Sequence, residues 1–305
     1  MTGYVDIQLN GCHGVDFNRS DLSVEQFHFA CEKLRGNGVR AFLPTLITAS
    51  QPDMRIRLAN LARIVAADPL AREMAPGFHA EGPFINETAG YRGAHPAHHV
   101  RPASVEEAKR LVEASGGLLR LMTLAPERDA GFATTHWLAD QGIKVAAGHC
   151  DSTVDQLKGA LDAGLSLFTH LGNGVPMQVH RHDNIIQRVL SLRDSITPCF
   201  IADGVHIPLF ALGNYLALAG TDRAVVVTDG VDVAGLGPGR FKTLQGEDVV
   251  VGEDQAIWSA DHSHLCGSGS TMPQLEANLR KMGYNNRQIR QLLCGNPARA
   301  AGLKV

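Results

Sequence analysis

Short runs of apolar and β-branched residues recur along the chain, separated by longer stretches whose apolar positions repeat at helical spacing. The runs are Tyr4 to Asn10, Ala41 to Leu46, Gly77 to Glu81, Leu119 to Ala125, Lys144 to His149, Leu165 to Leu171, Thr197 to Asp203 and Ala224 to Asp229. Strand and helix in alternation predict an α/β fold built of βα units around a parallel sheet. Eight strands in 305 residues predict closure into a (β/α)8 TIM barrel.

Helix punctuation agrees with that reading. Ser23 precedes Val24 to Arg35, with Gly36 and Gly38 behind it, and Ser104 with Glu107 predicts a capping box for the run to Ala114. Ser152 is read as opening Thr153 to Ala163, which stops at Gly164, and Pro297 predicts a stop or kink near Asn296 in the last helical stretch, Asn286 to Ala301. With no repeat, low-complexity tract or linker, residues 1–305 read as one barrel domain. Between Val231 and Cys266 the chain is too long for a simple βα connection. Its Gly-Pro-Gly turn, followed by DVVVG and QAIWSA, predicts a hairpin excursion at about 231–266.

Composition narrows the function. A chain that is 44% hydrophobic can bury a large core, and 28 basic against 31 acidic residues, net charge -3, leave no electrostatic footprint for nucleic acid or an anionic membrane. A small-molecule substrate is the expectation. The N-terminal MTGYVDIQLNG shows neither a basic leader nor an apolar core. Nor does any apolar run approach the roughly 20 residues that span a bilayer, so a cytoplasmic protein is expected. The six cysteines, at 12, 31, 150, 199, 266 and 294, form no Cys-x-x-Cys pair, which argues against a disulfide framework or a zinc ribbon. Cys150 alone is read as a residue that could line a site.

Barrel enzymes assemble their sites at the C-terminal ends of the strands. Here the third run ends in His79-Ala80-Glu81-Gly82-Pro83, the fifth in Gly148-His149-Cys150, the sixth in Thr169-His170-Leu171, the seventh in Asp203-Gly204-Val205-His206 and the eighth in Thr228-Asp229-Gly230. A lone strand-end histidine is more often a hydrogen-bonded structural residue than a ligand. One carboxylate and two imidazoles at equivalent strand ends are a different matter, because together they make a first shell for a zinc-like dication. Such a cation, with one anionic and two neutral ligands, favours ionisation of water, and Asp229 is placed to carry the proton to a leaving amine. His79 reads as a core or supporting residue and His206 as a site residue. His98, His99, His180, His182, His262 and His264 fall in expected loops.

These motifs resemble the N-acetylglucosamine-6-phosphate deacetylases of the amidohydrolase superfamily. The likeness is collinear: VDIQLNG from Val5, LPTLITAS from Leu43, HAEGPFIN from His79, RGAHP from Arg92, TLAPE from Thr123, AGHCDST from Ala147, THLGNGVP from Thr169, IADGVH from Ile201, VTDG from Val227, CGSGSTM from Cys266 and NPARAAGL from Asn296. The resemblance implies that Glu81, His149 and His170 hold the metal and that Asp229 is the catalytic carboxylate. It implies that His95 contacts the acetyl carbonyl region, where it would help stabilise a developing oxyanion. It further implies that His206, Asn173 and Gly174 bind the sugar phosphate and that Arg181 reaches that phosphate from a neighbouring subunit of a homodimer.

Departures from the family pattern carry information too. Where many amidohydrolases have His-x-His at the end of the first strand, this chain has Gln8 and Asn10; amides are poor zinc ligands, so one divalent metal, Zn2+, is expected. MQVHRHDN, Met177 to Asn184, is unusual around Arg181, and His13 stands where a glycine is usual. Most or all of the family's small β-sandwich is expected to be lacking, apart from the excursion. Three functions follow: removal of the acetyl group from N-acetylglucosamine 6-phosphate, the same reaction on an unphosphorylated N-acetylamino sugar or aminocyclitol conjugate, or a catalytically silent ligand-binding barrel.

Overall fold

The computed structural model describes residues 3–243, 246, 248–262 and 265–304. Eight parallel strands form one sheet: β1 (Tyr4–Leu9), β2 (Val39–Ile47), β3 (Phe78–Glu81), β4 (Leu119–Leu124), β5 (Lys144–Ala147), β6 (Leu165–Phe168), β7 (Thr197–Ile201) and β8 (Val225–Val227). Neighbours in space are neighbours in sequence, which is the topology of a TIM barrel. The sheet curls until β8 meets β1. Asp229 N–H donates to the Gln8 carbonyl at 3.0 Å and Asn10 N–H to the Gly230 carbonyl at 2.8 Å. One turn below, the Thr228 hydroxyl donates to the Asp6 carboxylate at 2.5 Å. This seam lays Gln8 and Asn10 against the last strand.

Val5, Ile7, Ala41, Leu43, Leu121, Leu167, Ile201 and Val227 fill the barrel interior, and Ala298 and Ala301 of the C-terminal segment plug its lower end. A larger apolar layer lies between the strands and the surrounding helices. Ser23 and Gln26 form the reciprocal cap of helix Val24–Gly36, as the sequence predicts. Two caps differ from expectation. Ser104 does accept from Glu107 N–H, but the Glu107 carboxylate does not return to the cap, because it binds Arg101 and Gln51 instead. The helix assigned to Ser152 is capped by Thr153 with Gln156, since the Ser152 hydroxyl is taken by Glu127. Before Pro297 the final helix widens into a π turn over Gln291–Gly295, then restarts at Asn296–Ala300, where the proline sits in the first turn and its missing N–H costs nothing.

The excursion after β8 is larger than a hairpin. Gly239–Lys242, Asp248–Val251, Ala256–Ser259 and Leu265–Ser268 form a four-stranded antiparallel sheet over a small core of Val233, Val249, Val251 and Ile257. A bridge from Gly230 to Ser268 ties it to the barrel rim.

Asp6 is fully buried at the seam, and burial pushes its carboxyl up to about 7 despite the bonds from Thr228 and Gln8. In the unfolded chain the same group titrates near 3.9, so the folded state holds an extra proton between those values. The stability it contributes is full below about pH 4 and is lost as pH rises through about 7. Denaturant titrations should therefore show the stability of the wild type, relative to Asp6→Asn, declining from pH 4 to pH 8. A gap that does not vary with pH would contradict the assignment.

Candidate active site

Glu81 is the last residue of β3, while His149, His170 and Asp229 each lie two residues past the ends of β5, β6 and β8. At those three positions the backbone enters the left-handed region, with φ of 51°, 28° and 50°. Only seven non-glycine residues among those described do so, and three of them are here. Such conformations cost on the order of 1–3 kcal/mol each and persist where surrounding structure imposes them. Strain is thus concentrated at the barrel mouth.

Three side-chain atoms converge. Glu81 Oε1 lies 2.9 Å from His170 Nε2 and 3.2 Å from His149 Nε2, and the two imidazole nitrogens are 3.0 Å apart. Tautomers make this arrangement telling. His149 Nδ1 lies 2.8 Å from the Tyr91 carbonyl, which can only accept, so the proton is on Nδ1 and Nε2 presents a lone pair. That lone pair faces a carboxylate oxygen, an unfavourable pairing unless a cation lies between them. Ligands about 2.0 Å from a tetrahedral zinc are roughly 3.3 Å from one another, close to the spacing of these atoms. Burial opposes a charge on His170, yet the Glu81 carboxylate lifts its pKa to about 9, a measure of how strongly this pocket favours positive charge. The buried His170 Nδ1 has no hydrogen-bond partner. One carboxylate and two imidazoles in this geometry could hold a divalent metal.

His95 is close enough to Glu81 and His149 to be considered for the same set. Its hydrogen bonds give it another role. Thr48 N–H donates to His95 Nδ1 at 3.4 Å, and the Thr48 hydroxyl is 2.7 Å from the same atom. With Nδ1 accepting, the ring proton sits on Nε2, which lies 3.9 Å from Glu81 Oε2. Burial pushes the pKa down to about 3, so His95 is neutral and offers an N–H to the site rather than a lone pair.

The amides of β1 act as supports. Gln8 Nε2 donates to Glu81 Oε1 and Asn10 Nδ2 to Asp229 Oδ1, each at 2.9 Å. Sequence position alone gives neither amide a role beyond failing as a ligand. Asp229 keeps a partly exposed edge although protein encloses it, and its pKa is raised by burial and by the charge of Glu81, against the pull of His170, His206 and Asn10. A carboxylate so placed accepts a proton more readily than an ordinary aspartate.

Of the remaining residues, His206 follows β7 and its Nδ1 is 2.6 Å from Asp203 Oδ2, which fixes the ring. Asn173 bonds the His170 carbonyl through both its backbone N–H, at 2.9 Å, and its side chain, at 3.3 Å. Gly174 has φ of 61°, and a Cβ there would stand 2.8 Å from His149 Nδ1; one at Gly93 would stand 3.1 Å from His149 Cε1. Two glycines thus flank the His149 ring. Gly174→Ala should displace that ring and lower kcat/KM by about tenfold or more, the scale seen when the support of a metal ligand is lost. Steady-state kinetics and metal content check this, and unchanged values for both would contradict it.

Arg181 and His182 are exposed, and among the described residues no hydrogen bond or ion pair joins Arg181 to the cluster. His180 Nδ1 accepts from the N–H groups of His182 and Asp183, so this ring organises its own loop. His79 is buried between Thr123 and the Ile7 carbonyl, a core role as expected. Cys150 is buried, and burial keeps its thiol protonated. His13, at the tip of a small ribbon, has its Nε2 3.4 Å from Asn37 Nδ2. His98 and His99 lie ring to ring at 3.9 Å, and His264 lies outside the described residues. No helix among the described residues is long and apolar enough to cross a membrane.

Eight parallel strands with this cluster at their C-terminal ends define a barrel hydrolase of the amidohydrolase class. No protein-family model matches the chain. It is 33% identical over 263 residues to the N-acetylglucosamine-6-phosphate deacetylase of Bacillus subtilis, covering 85% of this chain and 64% of that protein. To the human enzyme of the same name it is 32% identical over 310 residues, covering 99% of this chain and 74% of the relative. The solved structure of the Mycobacterium smegmatis N-acetyl-D-glucosamine-6-phosphate deacetylase superimposes with a TM-score of 0.87 at 28% identity, covering 99% of this chain and 78% of that one. The chain belongs to the N-acetylglucosamine-6-phosphate deacetylase family.

Proposed function

We propose that this protein hydrolyses the N-acetyl amide of N-acetylglucosamine 6-phosphate, giving acetate and the amino sugar phosphate, with one divalent metal, Zn2+, held by Glu81, His149 and His170. The observation that carries the reading is the convergence of a carboxylate oxygen and two imidazole nitrogens within 2.9–3.2 Å of one another. A metal bound there supplies Lewis-acid polarisation of the acetyl carbonyl and acidifies water.

The chain's own residues do the rest. His95 donates a hydrogen bond from its Nε2–H to the acetyl carbonyl oxygen as charge builds on it, keeping its proton. Asp229 takes a proton from the attacking water and returns it to the nitrogen as the C–N bond breaks. Asn10 holds Asp229 Oδ1, which leaves Oδ2 for that transfer, and Gln8 orients Glu81. His206, Asn173 and Gly174 bind the sugar phosphate, and Arg181 completes its site from the second subunit of a homodimer. Because Gln8 and Asn10 turn their N–H groups toward Glu81 and Asp229, the reading is of a single metal.

An unphosphorylated N-acetylamino sugar is the second reading, favoured by the exposed position of Arg181 in the loop Met177 to Asn184. The two are separated by comparing kcat/KM for N-acetylglucosamine with and without its 6-phosphate. A preference for the phosphate of about a hundredfold, or roughly 2.7 kcal/mol, is expected. A preference below about tenfold favours the second reading.

A further inference from the structure

At the end of the barrel opposite the catalytic mouth, a cavity of about 180 Å3 opens among Lys144, Ser166, Leu167, Thr197, Arg223, Asn296, Arg299 and Ala300. Lys144 and Thr197 begin β5 and β7, Ser166 is the second residue of β6, Arg223 leads into β8, and Arg299 belongs to the helical turn beside the plug. Three of the lining residues are cationic and none is acidic. Among the described residues, no carboxylate forms an ion pair with Lys144, Arg223 or Arg299. Arg299 donates to the Asp222 carbonyl at 2.6 Å and to Asn296 Oδ1 at 2.8 Å, and Arg223 donates to the Asp194 carbonyl. These acceptors are neutral, so they orient the guanidiniums without cancelling their charge.

A second feature is independent of charge. The Ser166 hydroxyl is buried and has no hydrogen-bond partner. A buried donor without a partner is costly, and in a native protein it calls for an occupant. Lys144, Arg223 and Arg299 are exposed residues of one charge lining the same cavity, and a tetrahedral oxyanion there would offset that charge while accepting from the hydroxyl.

We propose that this cavity is a binding site for a phosphate-class oxyanion, either inorganic phosphate or the head of a phosphate monoester. It is separate from the phosphate subsite at the mouth. The ligand would bridge the starts of β5, β6 and β7 to the C-terminal plug, so its binding would stabilise the closed end of the barrel.

Calorimetric titration of the full chain with inorganic phosphate tests this, with thermal unfolding followed in parallel. Lys144→Glu should weaken binding at this site at least tenfold and remove the phosphate-dependent rise in Tm, with the rate in phosphate-free buffer unchanged. Ser166→Ala should weaken binding severalfold without lowering Tm in the absence of phosphate, since the hydroxyl it removes has no partner. His206→Ala, at the mouth, should leave this site intact. Repeating the titration with glucosamine 6-phosphate distinguishes the sources, since tighter Lys144-dependent binding would identify a sugar phosphate and equal or weaker binding inorganic phosphate. Wild-type titrations of Lys144→Glu and Ser166→Ala, loss of all phosphate binding in His206→Ala alone, or no binding to the wild type would each overturn the proposal.

Discussion

Asp229→Asn should lower kcat by about a thousandfold or more while leaving the metal bound, in keeping with the 10²–10⁴-fold contributed by a positioned acid–base group. The substitution keeps the shape of the side chain. Its amide oxygen can still accept from Asn10 Nδ2, which now bonds Asp229 Oδ1 at 2.9 Å. What disappears is basicity, and with it the proposed route by which a proton would leave the attacking water and reach the amine. Glu81, His149 and His170 lie close to one another without help from Asp229, so elemental analysis should show wild-type metal. Retention of a substantial rate would remove Asp229 from the mechanism; loss of metal would make it a ligand instead.

Glu81→Gln should abolish both metal retention and activity. A glutamine still offers Gln8 an oxygen to donate to, so the fold at β3 is preserved. On the proposed reading the change removes the one anionic ligand, and the remaining set of neutral nitrogens and an amide oxygen would be a poor match for zinc. Losing several kcal/mol of carbonyl polarisation corresponds to a drop of at least about a thousandfold. Millimolar zinc should restore part of the activity, which a folding defect would not allow. A variant with normal metal content and rate would show that the cluster is structural.

The meeting of these side chains was legible in the sequence because a parallel barrel translates strand ends into a single place. Glu81, His149, His170 and Asp229 each stand where an apolar run stops, and eight runs in order leave one mouth for them to share. The supporting bonds were not legible. Ile7 packs inside the barrel and Leu9 in the outer layer, and the register of β1 slips between Asp6 and Leu9. That irregularity changes which way the side chains face and turns Gln8 to Glu81, as bulges beside active sites commonly do. Strict alternation would not have placed it there. His95 offered a similar difficulty. Its role depends on which ring nitrogen carries the proton, and that is set by Thr48, 47 residues away in sequence. A cap escapes the sequence where a distant partner claims the side chain, as Glu127 claims Ser152.

The excursion after β8 shows the same limit from another side. DVVVG and QAIWSA announced strands, but the pairing of Gly239–Lys242 and Leu265–Ser268 at either edge rests on contacts that neither segment displays by itself. The resemblance assigns Gly174 to the sugar phosphate, and its close approach to His149 is visible only from the distance between them.

The most direct test measures acetate released from N-acetylglucosamine 6-phosphate by protein stripped of metal with a chelator, then titrated with Zn2+ while bound metal per chain is counted. The account predicts no turnover in the stripped protein and activity that rises to a plateau at one equivalent. Undiminished activity after stripping, a plateau only at two equivalents, or no acetate with zinc or any other divalent metal would contradict it.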